Sequence, residues 1–201
     1  YKVEQLQKAQ TVAVADRTGQ VQSALTARYR NADSYRVVIK DGLTNVEKGR
    51  PQLTIRQTGD DEFDGLVNNV TFAKVNQAGF LSKDVAGTYD PPYATVPGGM
   101  FQVGKKWTSR SILTQPNGNK QWVDIDARIA AREKITVPLG TVDTFRVEIA
   151  MVYQDGSRAR ITYWLEPEWG IATRMVREFR GRGANVPDIF VREVVSRSRT
   201  S

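Results

Sequence analysis

The hydrophobic pattern changes period close to residue 33. Before that point Val3, Leu6, Val21, Leu25 and Tyr29 recur at helical spacing, with Thr18-Gly19 as a break between two runs. An N-terminal helical segment of one or two amphipathic helices is therefore predicted over 1–33. From Ser34 the period becomes two. "SYRVVIK" ends at Asp41-Gly42, "PQLTIRQTG" alternates through Leu53 and Ile55, and "LVNNVTFAKV" reads as one run to the turn "NQAG". "WTSRSILTQ" meets "KQWVDIDARI" across Asn117-Gly118, a hairpin signal. "TFRVEIAMVY" puts Phe145, Val147, Ile149, Met151 and Tyr153 on one face and turns at Asp155-Gly156 into "RARITYWL", which leads through "EPEWG" into "IATRMVREF". Residues 87–99, "GTYDPPYATVPGG", hold Pro91, Pro92 and Pro97 and read as a structured loop rather than a strand.

These segments predict a mainly β fold of about nine to eleven strands, too many for a flat half-exposed sheet. A strongly curved antiparallel sheet or open β-barrel over 34–201 follows, with the N-terminal amphipathic helix covering its open face. The whole chain reads as one domain.

Composition removes many chemistries. With no cysteine and no histidine, the chain has no disulfides, thiolate nucleophiles or Ser-His-Asp triad, and lacks the usual ligands of zinc, copper and iron. No catalytic residue, metal site or cofactor is expected, and the reading is non-enzymatic. No apolar run is long enough for a transmembrane helix, and the start at Tyr1 has the look of a processed end. The net charge of +7 points to an anionic partner. After Lys134 every basic residue is an arginine, which suits planar contacts with carboxylates and phosphates. Candidate partner-binding residues are Trp169, Arg174, Arg177, Arg180, Arg182 and Arg192, set against partial neutralisation by Glu178, Asp188 and Glu193.

Other clusters have plainer readings. "DDEFDG" resembles half of a calcium loop, with Asp60, Glu62 and Asp64 before Gly65, but the twelfth position is Thr71, so an acidic hairpin loop is expected. Asp124 and Asp126 read as polar-out alternation with Val123 and Ile125, and "NVT" at Asn69 as ordinary strand sequence. "EFRGRG" beside Tyr163, Trp164, Trp169 and Phe179 lacks a recognition-helix or ribonucleoprotein pattern, so nucleic acid is not an expected partner. Glu166 and Glu168 flank Pro167 in a stretch that fits a hairpin corner better than a paired-carboxylate site.

Three spaced motifs carry a resemblance: "FQVGKKW" (Phe101, Gly104, Trp107), "VPLGTVDTFRV" (Val137, Pro138, Gly140, Thr141, Phe145, Val147) and "YWLEPEWGIATR" (Tyr163, Trp164, Pro167, Gly170). Together they resemble a family of uncharacterised bacterial envelope proteins, a domain of unknown function, over roughly Pro91 to Phe179. The resemblance implies an exported protein, periplasmic or outer-membrane-associated, and transfers no catalytic residue. The helix-first, open-barrel outline is also similar to periplasmic lipoprotein carriers. The leading expectation is a binding or assembly module docking to an envelope protein partner or anionic surface through its arginine-rich end. The alternatives are a carrier of a lipid or other apolar ligand, and a carbohydrate-binding protein using its tryptophans with Glu166 and Glu168.

Overall fold

The computed structural model describes residues 28–96 and 101–199, so the helices expected before residue 28 lie outside the described residues. Arg28–Asp33 are described and form an irregular entry rather than a helical turn. The rest is β-structure. The first seven strands are β1 (Ser34–Asp41), β2 (Glu47–Gly49), β3 (Gln52–Gln57), β4 (Glu62–Val67), β5 (Val70–Asn76), β6 (Phe80–Asp84) and β7 (Gly87–Ala94). The longer ones follow: β8 (Lys106–Thr114), β9 (Lys120–Val137), β10 (Gly140–Tyr153), β11 (Arg158–Leu165), β12 (Arg174–Arg180) and β13 (Asp188–Ser198).

All pairings are antiparallel, and from β3 to β13 each strand neighbours the next. β13 then returns to β1, from Ser34 opposite Ser198 to Asp41 opposite Phe190. β1 pairs on its other edge with β3 and, further along, with the short β2. The ring is thus a closed up-and-down barrel: the strongly curved antiparallel sheet expected from sequence is present, but it closes on itself rather than staying open. Closure removes both free edges.

Inside, alternate residues form two apolar clusters. One gathers Phe101, Trp107, Ile125, Phe145, Val147, Ile149 and their neighbours from β7 to β11. The other gathers Tyr35, Val37, Leu53, Ile55, Phe63, Val75 and Val194. Each fully buried side chain of this kind contributes about 1.5–3 kcal/mol, so these rows fix which face of each strand points in. The outer wall is charged instead: Arg110 bonds Asp124 at 2.6 and 2.8 Å, and Arg128 approaches Glu148 at 2.7 Å. Ion pairs at this density on the outward face oppose a lipid-facing wall. No helix among the described residues is long and apolar enough to cross a membrane.

Two local readings change. "LVNNVTFAKV" is two strands, because Asn68 and Asn69 both take positive φ (49° and 65°) and make the two-residue turn between β4 and β5. The proline-rich stretch includes β7, where the prolines need give no amide to the ladder: β7 pairs with β8 only over Thr88–Asp90, and its pairing with β6 is irregular. Ser111 Oγ donates to the Pro91 carbonyl at 2.7 Å instead. Gly104 has positive φ (92°), and Trp107 is anchored in the core with its indole N–H donating to Ala94 O at 3.0 Å.

Candidate binding cavity and the corner that closes it

Between the two clusters the barrel keeps a cavity of about 310 Å³. Its wall is mostly apolar, with Ile55, Val75, Leu81, Ile161, Leu165 and Met175 among the contributors. Its volume sits at the low end of small-molecule sites, room for a single-chain amphiphile rather than a two-chain lipid. Charged groups reach it at three levels. Arg28 and Tyr29 line its inner end, Arg192 of β13 its middle, and Arg177 of β12 with Asp84 of β6 its outer end beside the exposed Val85.

Arg192 is the unusual group. On β13 the inward residues are Phe190, Arg192 and Val194, so a guanidinium occupies a core position. Among the described residues it has no ion pair, and its buried Nε has no hydrogen-bond partner. Burial pushes the guanidinium below its ordinary value, opposed by nearby Tyr163. Tyr163 is itself pushed up to about 12, first by burial, with Arg192 acting the other way. Arg192 as a whole is half-buried in the cavity wall, and a cation held there without a partner is costly, a cost that an anionic group entering the cavity would relieve. Arg177 is better served: its Nη2 lies 3.5 Å from Asp188 and its guanidinium 5.9 Å from the Phe190 ring centroid. Its Nε is likewise buried without a hydrogen-bond partner. Asp84 is held above the usual carboxylate range by burial, against hydrogen bonds from Ala86 N–H and the Tyr89 hydroxyl and the charge of Arg177.

The inner end is closed by packing. Arg28 and Tyr29 are buried, and both of their amides donate to Gln77 Oε1 at 3.2 Å. Gln77 Nε2 donates back to Tyr29 O. The Tyr29 ring lies against Gly170, where a Cβ would overlap it. Arg28 Nε donates to Trp169 O at 3.2 Å, which ties the entry segment to the β11–β12 corner.

That corner is internally committed. Arg197 and Arg199 each place their guanidinium carbon 4.1 Å from the Trp169 ring centroid, and Tyr35 meets the ring edge-on at 5.7 Å. Glu166 accepts a fork from Arg197, at 2.5 and 2.9 Å, and a bond from the Thr173 hydroxyl. Arg199 forks onto the fully buried Asp33 at 2.9 and 2.7 Å. Such bidentate pairs set geometry as well as energy. A bulge allows this. Val37 faces Val194 but Arg36 faces Ser196, so Val195 is an extra residue that returns Arg197 and Arg199 to the inward face.

The six sequence candidates therefore separate. Arg177 and Arg192 face the cavity, Trp169 is packed in the corner, and Arg174 lies outside over the Trp164 ring with Glu193 at 3.5 Å. Of the six, only Arg180 and Arg182 are exposed. Glu166 is consumed by its arginine, and Trp164 and Trp169 sit on different sides of the wall, so the arrangement forms neither a carboxylate pair nor a shared aromatic platform. Asp124 faces out and is paired with Arg110, as polar-out alternation predicts. Asp64 belongs to β4 and is bonded by Arg56 and Thr71, and no metal-holding acidic group occurs among the described residues. Arg28, Asp84 and Tyr163 were not anticipated as site residues; the available signal was only Arg192 in phase with Phe190 and Val194.

No family profile matches the sequence, and no curated protein matches it. Among solved structures, the chain is similar to a "putative lipoprotein" from Parabacteroides distasonis ATCC 8503, at 12% identity and a TM-score of 0.48 over 88% of this chain and 100% of that one. It is also similar to the hypothetical lipoprotein YmcC of Escherichia coli, at 10% identity and a TM-score of 0.48 over 96% and 97%.

Proposed function

We propose that this protein binds a single-chain amphiphilic anion, its apolar part in the barrel and its anionic group at Arg192, and acts as a carrier or sensor rather than an enzyme. The observation that carries the reading is the unpartnered guanidinium of Arg192 in the wall of an apolar cavity. A ligand of this class satisfies both halves of the site at once. Arg177, at the outer end, offers a second contact to the head group. An envelope location accompanies the reading, on the strength of the motif resemblance above. Docking of the arginine-rich end to a protein partner draws less support, since Arg174, Arg197 and Arg199 are engaged within the fold.

The test compares a fluorescent long-chain fatty acid with the alcohol of equal length. The acid should bind more tightly, and Arg192→Met should weaken it about ten-fold or more while leaving the alcohol unchanged. The same substitution removes an unpaired, half-buried charge, so the ligand-free variant should be at least as heat-stable as the parent. Equal binding of acid and alcohol, or a variant that loses stability and keeps its affinity, would overturn the reading.

A further inference from the structure

The two ends of the barrel differ in character. In an up-and-down ring successive turns alternate between the ends. One end carries the connections β1–β2, β4–β5, β6–β7, β8–β9, β10–β11 and β12–β13; the other carries the entry at Arg28 and the Trp169 corner. Exposed large apolar side chains gather at the first. Leu43 and Val46 are 56% and 54% exposed in the β1–β2 connection, Val70 is 70% exposed just after the Asn68-Asn69 turn, and Val85 and Val186 are 66% and 64% exposed in the β6–β7 and β12–β13 connections. Phe179 adds a ring at the end of β12. Scattered exposed apolar residues need no explanation, but clustering at one end does.

Charge at this end also shows a basic surplus. Its carboxylates are engaged locally: Asp41 accepts the Leu43 and Thr44 amides and lies 3.9 Å from Lys48, Glu47 is forked by Arg50, Asp155 accepts the Ser157 amide, and Asp188 faces Arg177. Asp84 accepts the Ala86 amide and the Tyr89 hydroxyl. Lys120, Arg158, Arg180 and Arg182 sit at the same end, and no ion pair holds them among the described residues. The connections adjoin one another: Gly42 N donates to Ile189 O at 2.7 Å, Arg158 is the cross-strand partner of Arg180, and Thr114 pairs with both Thr88 and Lys120. Val85 belongs both to this end and to the mouth of the cavity.

We propose that this end is a membrane-docking rim that seats the barrel, mouth down, on an anionic lipid bilayer. The apolar side chains enter the interface and the unpaired basic groups meet lipid phosphates, a combination of two weak signals that together hold a protein on a surface. The inference goes beyond the cavity reading and holds whether or not the cavity takes an amphiphile.

Vesicle co-sedimentation of the full chain tests it, with phosphatidylcholine vesicles against vesicles mixed with phosphatidylglycerol. The chain should partition to the mixed vesicles and be released by salt. Arg180→Gln with Arg182→Gln should lower partition about 30-fold, at about five-fold per basic group near the surface. Leu43→Ser with Val186→Ser should lower it about ten-fold. Phe80→Ser, an exposed apolar residue at the opposite end, should leave it unchanged, and all variants should keep the parent melting temperature. The proposal is overturned by absence of vesicle binding, by equal binding to pure phosphatidylcholine, or by Phe80→Ser acting like the rim variants. A lipid-free dimer lost on Leu43→Ser with Val186→Ser, without a loss of vesicle binding, would assign the rim to a second copy instead.

Discussion

Arg199→Met isolates the strongest commitment of the corner. Asp33 is fully buried and both of its side-chain hydrogen bonds come from Arg199, whose own side chain is 19% exposed. Methionine fills much of the arginine stem's volume but leaves the carboxylate without a counter-charge, which costs about 3–5 kcal/mol for a buried pair broken on one side. The guanidinium also lies 4.1 Å from the Trp169 centroid, a contact worth about 0.5–2 kcal/mol. Taking about 5 kcal/mol as the centre of the combined loss, and about 2–4 °C per kcal/mol for a chain of this size, the melting temperature should fall by about 10–20 °C. Calorimetry or circular dichroism reads this directly. The decisive arm adds Asp33→Asn: with the stranded charge removed, the double variant should recover at least about 2 kcal/mol relative to Arg199→Met alone. A single variant that loses less than about 1 kcal/mol, or a double variant no more stable than the single one, would refute the buried-charge account.

Other expectations follow from the same geometry. Gly170→Ala drives a methyl into the Tyr29 ring and should cost about 1–3 kcal/mol in urea unfolding, loosening the inner end of the cavity. For Asp84, burial raises the folded-state pKa above its unfolded value. Its protonated form therefore favours folding at low pH, and that contribution is lost as pH rises through the raised value. Asp84→Asn should then show a stability advantage at neutral pH that shrinks on acidification and vanishes below the unfolded value, as read by melting at several pH values. An advantage that grew toward low pH would show that Arg177 and the Tyr89 hydroxyl outweigh desolvation.

Local chemistry made much of the fold readable. Asn117-Gly118 and Asp155-Gly156 fix hairpins wherever the chain continues, because the positive φ they supply is a short-range requirement. Asn68-Asn69 carries the same information less plainly, since asparagine tolerates that region without being glycine. The proline-rich strand β7 was illegible because the irregular pairing that excuses Pro91 and Pro92 is a property of its neighbours. Closure was illegible for a stronger reason: Ser34 and Ser198 meet across nearly the whole chain, and no local pattern encodes that contact. The arginine-rich end looked like one surface because composition ignores direction. In "DIFVREVVSRSR" the outward Glu193, the cavity-facing Arg192 and the corner residues Arg197 and Arg199 differ only in phase, and the phase changes within the strand.

That phase change sits at Val195. Upstream of it β13 presents one set of side chains to the cavity, and downstream it presents the other set to the closing corner. A strand of uninterrupted alternation could serve one of these tasks but would turn the other set to solvent. Loss of this single residue would therefore act like a frameshift written in space rather than in codons: composition would hardly change, yet Arg197 and Arg199 would part from Glu166 and Asp33, and β13 would no longer join cavity wall to closing corner.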